Sequence, residues 1–105
     1  LKDYFVKTIV SKNKMDQVLQ IVCDHYNLTE EELLSKKRSN EIAIPRMIAM
    51  YICRVYLDEN LTKIGIQFGG KNHTTVMHAV DKIKKEILKD DVLNNEIQKM
   101  INEIR

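Results

Sequence analysis

Asn72-His73-Thr74-Thr75 puts an amide, an imidazole and two hydroxyls into four consecutive positions. The cluster follows a glycine pair, Gly69-Gly70, and opens a run whose apolar residues are Val76, Val80, Ile83 and Ile87. Their spacing, i, i+4, i+7 and i+11, marks one face of an amphipathic helix. The polar cluster therefore occupies the helix's first turn, with the other side of the helix held against a core. Free backbone N–H groups and the positive end of the dipole sit at such a turn, so it suits an anionic partner.

Catalysis finds little support in the same residues. No Walker-type glycine loop is present, and no Ser or Cys nucleophile stands near a histidine in a known pattern. His73 and His78 lie five residues apart, about 140° around a helix, which is poor geometry for a shared metal. His25 reads as a helix-surface or cap residue. The two thiols, Cys23 and Cys53, lack metal-like spacing and read as small buried hydrophobes. Neither a catalytic residue nor a metal ligand is expected in the chain.

The charge distribution favours a polyanion. Residues 1–34 carry four lysines and six acids, and residues 86–105 carry three basic and five acidic residues. Between them, residues 35–85 hold ten basic and four acidic residues, centred on the segment with the polar helix start. The alternative reading is a set of solvated helix faces. Arg38 taken alone could be a solvated loop charge. Arg46 and Arg54, eight residues apart, would share a face that either tracks a phosphate backbone or solvates its helix. Thr74 and Thr75 could equally be helix-start residues that satisfy backbone groups.

With 105 residues, 44% hydrophobic and 30% charged, the chain suits one domain with one core. Three glycines and one proline are too few for a many-turned β architecture, and helix formers dominate. The expected fold is all-α, a compact bundle of about six helices. No signal peptide and no apolar run of membrane-spanning length occur, so an intracellular, reducing compartment is expected. The first residue is Leu1, and the chain reads as an excised domain.

The elements that place the cluster can be followed along the chain. Residues 1–12 read as a weakly amphipathic connector helix, and 13–105 as the domain proper. Met15, Val18, Leu19, Val22 and Tyr26 share one helix face over 13–26. Thr29-Glu30-Glu31-Glu32 is a capping box for a short helix ending near Leu34. Residues 35–40, with Lys36, Lys37 and Arg38, read as a basic loop. Pro45 fits the first position of a helix over about 45–57, burying Ile48, Tyr51, Ile52 and Val55 and exposing Arg46 and Arg54. Asn60 caps a short helix, about 61–67, with Leu61, Ile64 and Phe68 inward. A turn at 68–71 leads to the long helix at 72–88, and Asp90-Asp91 begins a last helix. The pair 61–67 and 72–88 has the lengths of a helix-turn-helix, whose second helix presents its first turn to base edges in the major groove.

At Gly-Gly-Lys-Asn-His-Thr-Thr-Val-Met-His-Ala, residues 69–79, the chain resembles the C-terminal DNA-binding domain (domain IV) of the bacterial chromosomal replication initiator family, DnaA. The family pattern there is Gly-Gly-Arg-Asp-His-Thr-Thr-Val-x-His-Ala. A second stretch, Leu34-Ser35-Lys36-Lys37-Arg38-Ser39 followed by Ile44-Pro45-Arg46, is similar to the family's basic loop and next helix. The resemblance runs from about residue 13 to 104. The chain departs from the pattern at Asn72, where the family has Asp, and at Lys71, where it has Arg. Met47 replaces a polar residue, and Asn40 and Ile44 stand where some members carry arginine.

The resemblance implies binding to short, asymmetric, A/T-rich boxes in duplex DNA at a replication origin. It implies base reading by Asn72, His73, Thr74 and Thr75 in the major groove and by Arg38 in the minor groove. Arg46, Arg54, His78, Lys71 and Lys37 would hold phosphates, with Leu61 and Thr62 near the DNA. No cofactor is implied in this chain. ATP and Mg would belong to an upstream ATPase domain of the whole protein, itself a partner of this one. Acidic phospholipids at the connector and regulatory proteins are further implied partners, and the fragment itself is expected to be monomeric. Two other functions fit the bare pattern: a helix-turn-helix transcription repressor, and a helical protein-interaction module with a solvated charged surface.

Overall fold

The computed structural model describes residues 14–104; the connector expected at 1–12 lies outside them. Six α-helices and one π-helical turn make up the described residues, without a strand. The all-α expectation holds.

Helix α1, Lys14–Tyr26, buries Met15, Val18, Leu19, Val22 and Cys23. Asn27 then turns the chain out in the left-handed region, φ 57°, which asparagine tolerates better than most side chains. Helix α2, Glu30–Leu33, is started by the capping box read from the sequence. Thr29 Oγ1 accepts from the Glu32 amide at 3.1 Å, and Glu32 Oε1 accepts from the Thr29 amide at 3.0 Å.

Helix α3, Asn40–Tyr51, starts five residues before the expected position. Ser39 is the N-cap residue, and its carbonyl accepts from the Ile42 and Ala43 amides at 3.0 and 2.7 Å. Pro45 is thus inside the helix, where its missing N–H leaves the carbonyl four residues back without an amide donor. That residue, Glu41, is exposed. After Tyr51 the helix widens into a π turn, Ile52–Tyr56, closed by the Leu57 amide on the Ile52 carbonyl at 3.2 Å. One extra residue in the turn rotates all that follows. Val55, expected inside, is 47% exposed, and Cys53 is fully buried in its place.

Helices α4, Leu61–Gln67, and α5, His73–Lys89, form the expected pair, both with asparagine N-caps. Asp90 ends α5, and its Oδ1 caps α6, Asp91–Asn102, through the Leu93 amide at 3.1 Å. The core sits where α5 crosses α3 and α4, with Phe68, Ile48, Ile64, Val76 and Ile83 at 1% exposure or less. Each such side chain contributes about 1.5–3 kcal/mol of burial. Cys23 and Cys53 belong to this core, and burial pushes their thiols up to about 11 and about 12, as expected of inert apolar filling.

Candidate nucleic-acid interface

The first turn of α5 is presented by a tight closure of the preceding helix. Gly69 and Gly70 both adopt left-handed backbone, φ 84° and 80°, a region open to glycine at little cost. The Gly70 and Lys71 amides both donate to the Gly65 carbonyl, at 3.0 and 2.8 Å. Gly65 itself lies buried inside α4, and a Cβ there would run into the Lys71 carbonyl oxygen. The glycine inside a seven-residue helix is therefore a contact between helix and turn. The sequence reading missed it; an isolated glycine within a helical pattern is the signal that could have found it.

Asn72 is the N-cap of α5, and its Oδ1 accepts from the Thr74 amide at 2.7 Å. One free donor of the first turn is thereby satisfied, and the carboxamide nitrogen keeps its donors. His73, Thr74, Thr75 and His78 are all exposed on a helix whose Val76, Ala79, Val80 and Ile83 are buried. Thr74, Thr75 and His78 thus stand on an outward face with a rigid base beneath, and His73 is exposed as the first residue of the helix.

Arg46 contradicts the expectation of a solvent-facing cation. It is 8% exposed, the buried charged side chain of the described core. Its Nε donates to the Leu33 carbonyl at 2.8 Å, and its Nη2 is buried without a hydrogen-bond partner. Burial lowers the guanidinium pKa, because a charge out of water is disfavoured. The reason for the burial is distant in sequence: the end of α2 packs over α3 and supplies the acceptor.

Lys71 is half-buried, and its Nζ lies 3.5 Å from the Leu34 carbonyl. Burial, then the Arg46 and Lys36 charges, hold its ammonium below the ordinary lysine range. Arg46, Lys71, Thr75 and His78 line one cleft of about 320 Å³, joined by Lys82 and the buried Met50. Lys82 went unselected in the sequence. It lies seven residues after Thr75 and four after His78, so helical spacing alone puts it on their face.

The other candidates divide. Arg38 and Lys37 are exposed in the loop after α2, where the Lys37 amide donates to Ser35 Oγ at 3.3 Å. Arg54 is half-buried rather than outward, and its Nη1 donates to the Glu59 carbonyl at 3.0 Å, one residue before the cap of α4. Leu61 packs against the core, while Thr62 is exposed. Among the described residues, no group of three or more His, Cys, Asp or Glu side chains could hold a metal. No described helix is long and apolar enough to cross a membrane.

A model of the family described as bacterial dnaA protein helix-turn-helix matches residues 15–83. The chain belongs to this family. The match spans α1 through most of α5, the α4–α5 pair and its glycine turn included. Two curated DnaA relatives, both called chromosomal replication initiator protein, come from Limosilactobacillus species. The one from L. reuteri strain DSM 20016 is 47% identical over 98 residues, covering 91% of this chain. The one from L. fermentum is 41% identical over 91 residues, 87% of the chain. The chain spans only 22% and 21% of those relatives' own lengths. A crystal structure of a DNA replication initiation factor superposes with a TM-score of 0.74 at 30% identity. That superposition covers 88% of this chain and 30% of the other.

Proposed function

We propose that this DnaA-family domain binds short, asymmetric, A/T-rich boxes in duplex DNA at a replication origin. The N-terminal turn of α5 enters the major groove, and Arg38 enters the adjacent minor groove. One observation carries the reading: Arg46, whose guanidinium Nη2 is buried without a hydrogen-bond partner, lines a cleft with Lys71, His78 and Lys82, beside the exposed His73–Thr75 turn. A buried unpaired donor is costly in the free protein, and a phosphate oxygen supplies its missing acceptor with a charge-assisted bond.

The roles divide by chemistry. Arg46, Lys71, His78, Arg54 and Lys37 hold phosphates and fix the register, which carries most of the affinity. Thr74 and Thr75 offer a hydroxyl and a methyl that can meet thymine, and His73 offers a ring donor or acceptor. Asn72 has its oxygen engaged by Thr74 and presents its amide donors to base acceptors. Arg38 is drawn to the narrow, electronegative minor groove of A/T-rich DNA. Leu61 and Thr62 flank the contact from α4.

In the whole protein, ATP and Mg belong to an upstream domain, to which residues 1–12 connect. We place no catalytic step and no cofactor in the domain itself. Association with acidic phospholipids at the connector and with regulatory proteins is part of the same proposal, as is action in the bacterial cytoplasm. A panel of duplexes with each box position varied in turn tests the reading. Discrimination confined to a contiguous asymmetric site, with one domain bound per site, supports it. Two domains bound on a palindrome would instead indicate a dimeric repressor.

A further inference from the structure

Arg46 and Lys71 come from different elements, α3 and the helix-turn-helix turn, yet they reach consecutive carbonyls, Leu33 and Leu34. These are the last carbonyls of α2, which have no intrahelical donors and carry the negative end of the helix dipole. The basic loop with Arg38 begins immediately after them. Gly69 packs on the same spot: a Cβ there would come within 3.3 Å of the Leu34 oxygen. The base of the loop is thus held from two sides by groups that also face the cleft on α5. Ser35 extends the hold, its Oγ donating to the Glu32 carbonyl at 2.7 Å and accepting from the Lys37 amide at 3.3 Å.

We propose that Arg46 and Lys71 are positioning residues for Arg38: their bonds to the Leu33 and Leu34 carbonyls fix the basic loop relative to α5, and so set the minor-groove reading. The inference rests on the DNA reading above and deepens it. Arg46 Nε serves the loop while Nη2 remains for a phosphate, so one guanidinium ties the two contacts together. The fork geometry makes this division possible, because its donors point in fixed, separate directions. Lys71 feels the charges of Arg46 and Lys36, like charges that an anion between them would relieve. Phosphate binding in the cleft and placement of the loop are therefore one rigid arrangement.

The loss of a phosphate contact weakens all sequences alike, whereas the loss of loop placement erases a sequence preference. Anisotropy titrations at fixed salt separate the two. They compare duplexes with A/T or G/C pairs at the positions where Arg38→Ala loses discrimination. The wild-type ratio is expected on the order of tenfold, the value of one good base contact. Arg46→Met should bring the ratio close to one, as Arg38→Ala does. Arg54→Ala, which has no bond to this loop, should weaken both duplexes and keep the ratio. Should Arg46→Met fail to fold, Lys71→Met makes the same test through the Leu34 carbonyl. A wild-type ratio retained in a folded Arg46→Met or Lys71→Met overturns the proposal. Backbone 15N relaxation of the free domain supplies a second arm. Order parameters over residues 35–39 should fall in Arg46→Met while those of α5 stay unchanged. Unchanged values at 35–39 overturn the clamp even where the wild type shows no sequence preference, an outcome that would sink the DNA reading separately.

Discussion

Asn72 Oδ1 lies 2.7 Å from the Thr74 amide nitrogen, so the first residue of the reading cluster is also the cap that starts the reading helix. Asparagine and aspartate are nearly equal as N-caps, so the two can exchange here without disturbing the helix start. Their chemistry toward bases differs, because a carboxylate only accepts while an amide also donates. Stability and specificity at this position are therefore separable.

Asn72→Asp should leave thermal stability within a few tenths of a kcal/mol, and Asn72→Ala should cost about 0.5–2 kcal/mol. Aspartate should also shift the preference at one base pair toward cytosine's amino group. Calorimetry on both variants, with a base-substitution panel for Asn72→Asp, checks this. A large loss of stability in Asn72→Asp would contradict the capping role.

Gly65→Ala tests the helix-turn contact. The added Cβ meets the Lys71 carbonyl oxygen, which is backbone and cannot move away cheaply. Overpacking of this kind typically costs about 1–3 kcal/mol, against the fraction of a kcal/mol alanine would gain in an open helix. Chemical denaturation should show a net loss, and a more stable Gly65→Ala would rule the contact out.

Arg46→Met should separate folding from binding. A well-packed apolar residue in place of a buried, partly unpaired charge is often neutral or stabilising, so the free domain should melt no lower than wild type. Affinity for every duplex should nevertheless fall, and the slope of log K against log salt should flatten by about one unit. A variant that binds as the wild type does would remove Arg46 from the interface.

Alkaline pH should weaken the fold through its buried thiols. Cys53 is pushed up to about 12 and Cys23 to about 11, against the ordinary 9.0. Both are raised in the folded state, so their contribution is complete below about pH 9 and is lost as pH climbs toward those values. The lowered Lys71 pKa acts oppositely, since rising pH relieves its buried charge. Denaturation midpoints between pH 8 and about 11 should fall, and more gently in Cys53→Ala than in wild type.

What the sequence reveals and what it hides divide by range. Most helix starts are local, so Thr29, Asn60 and Asp90 announce themselves and all cap. Asn72, read as the first residue of its helix, is the cap before it, and Pro45 hid the earlier start of α3 at Asn40. The outward face of α5 is locally legible too, because helical spacing alone separates Val76 and Val80 from Thr74 and His78. His73 shares the spacing of the apolar stripe and is exposed because it is the first residue of the helix. The π turn is not legible, since Val55 occupies a good α-helical core position and only the inserted residue rotates it out. Arg46 is likewise opaque. Its acceptor is the carbonyl of Leu33, thirteen residues away and on another helix.

The most direct test of DNA recognition is an anisotropy titration of wild type and His73→Ala against an A/T-rich box and its scrambled counterpart. Both duplexes are measured at two salt concentrations. The wild type should prefer the box, with affinity falling steeply as salt rises. His73→Ala should lose about 1–3 kcal/mol on the box and little on the scramble. Equal wild-type affinity for the two duplexes at matched salt would contradict sequence-specific recognition by the first turn of α5.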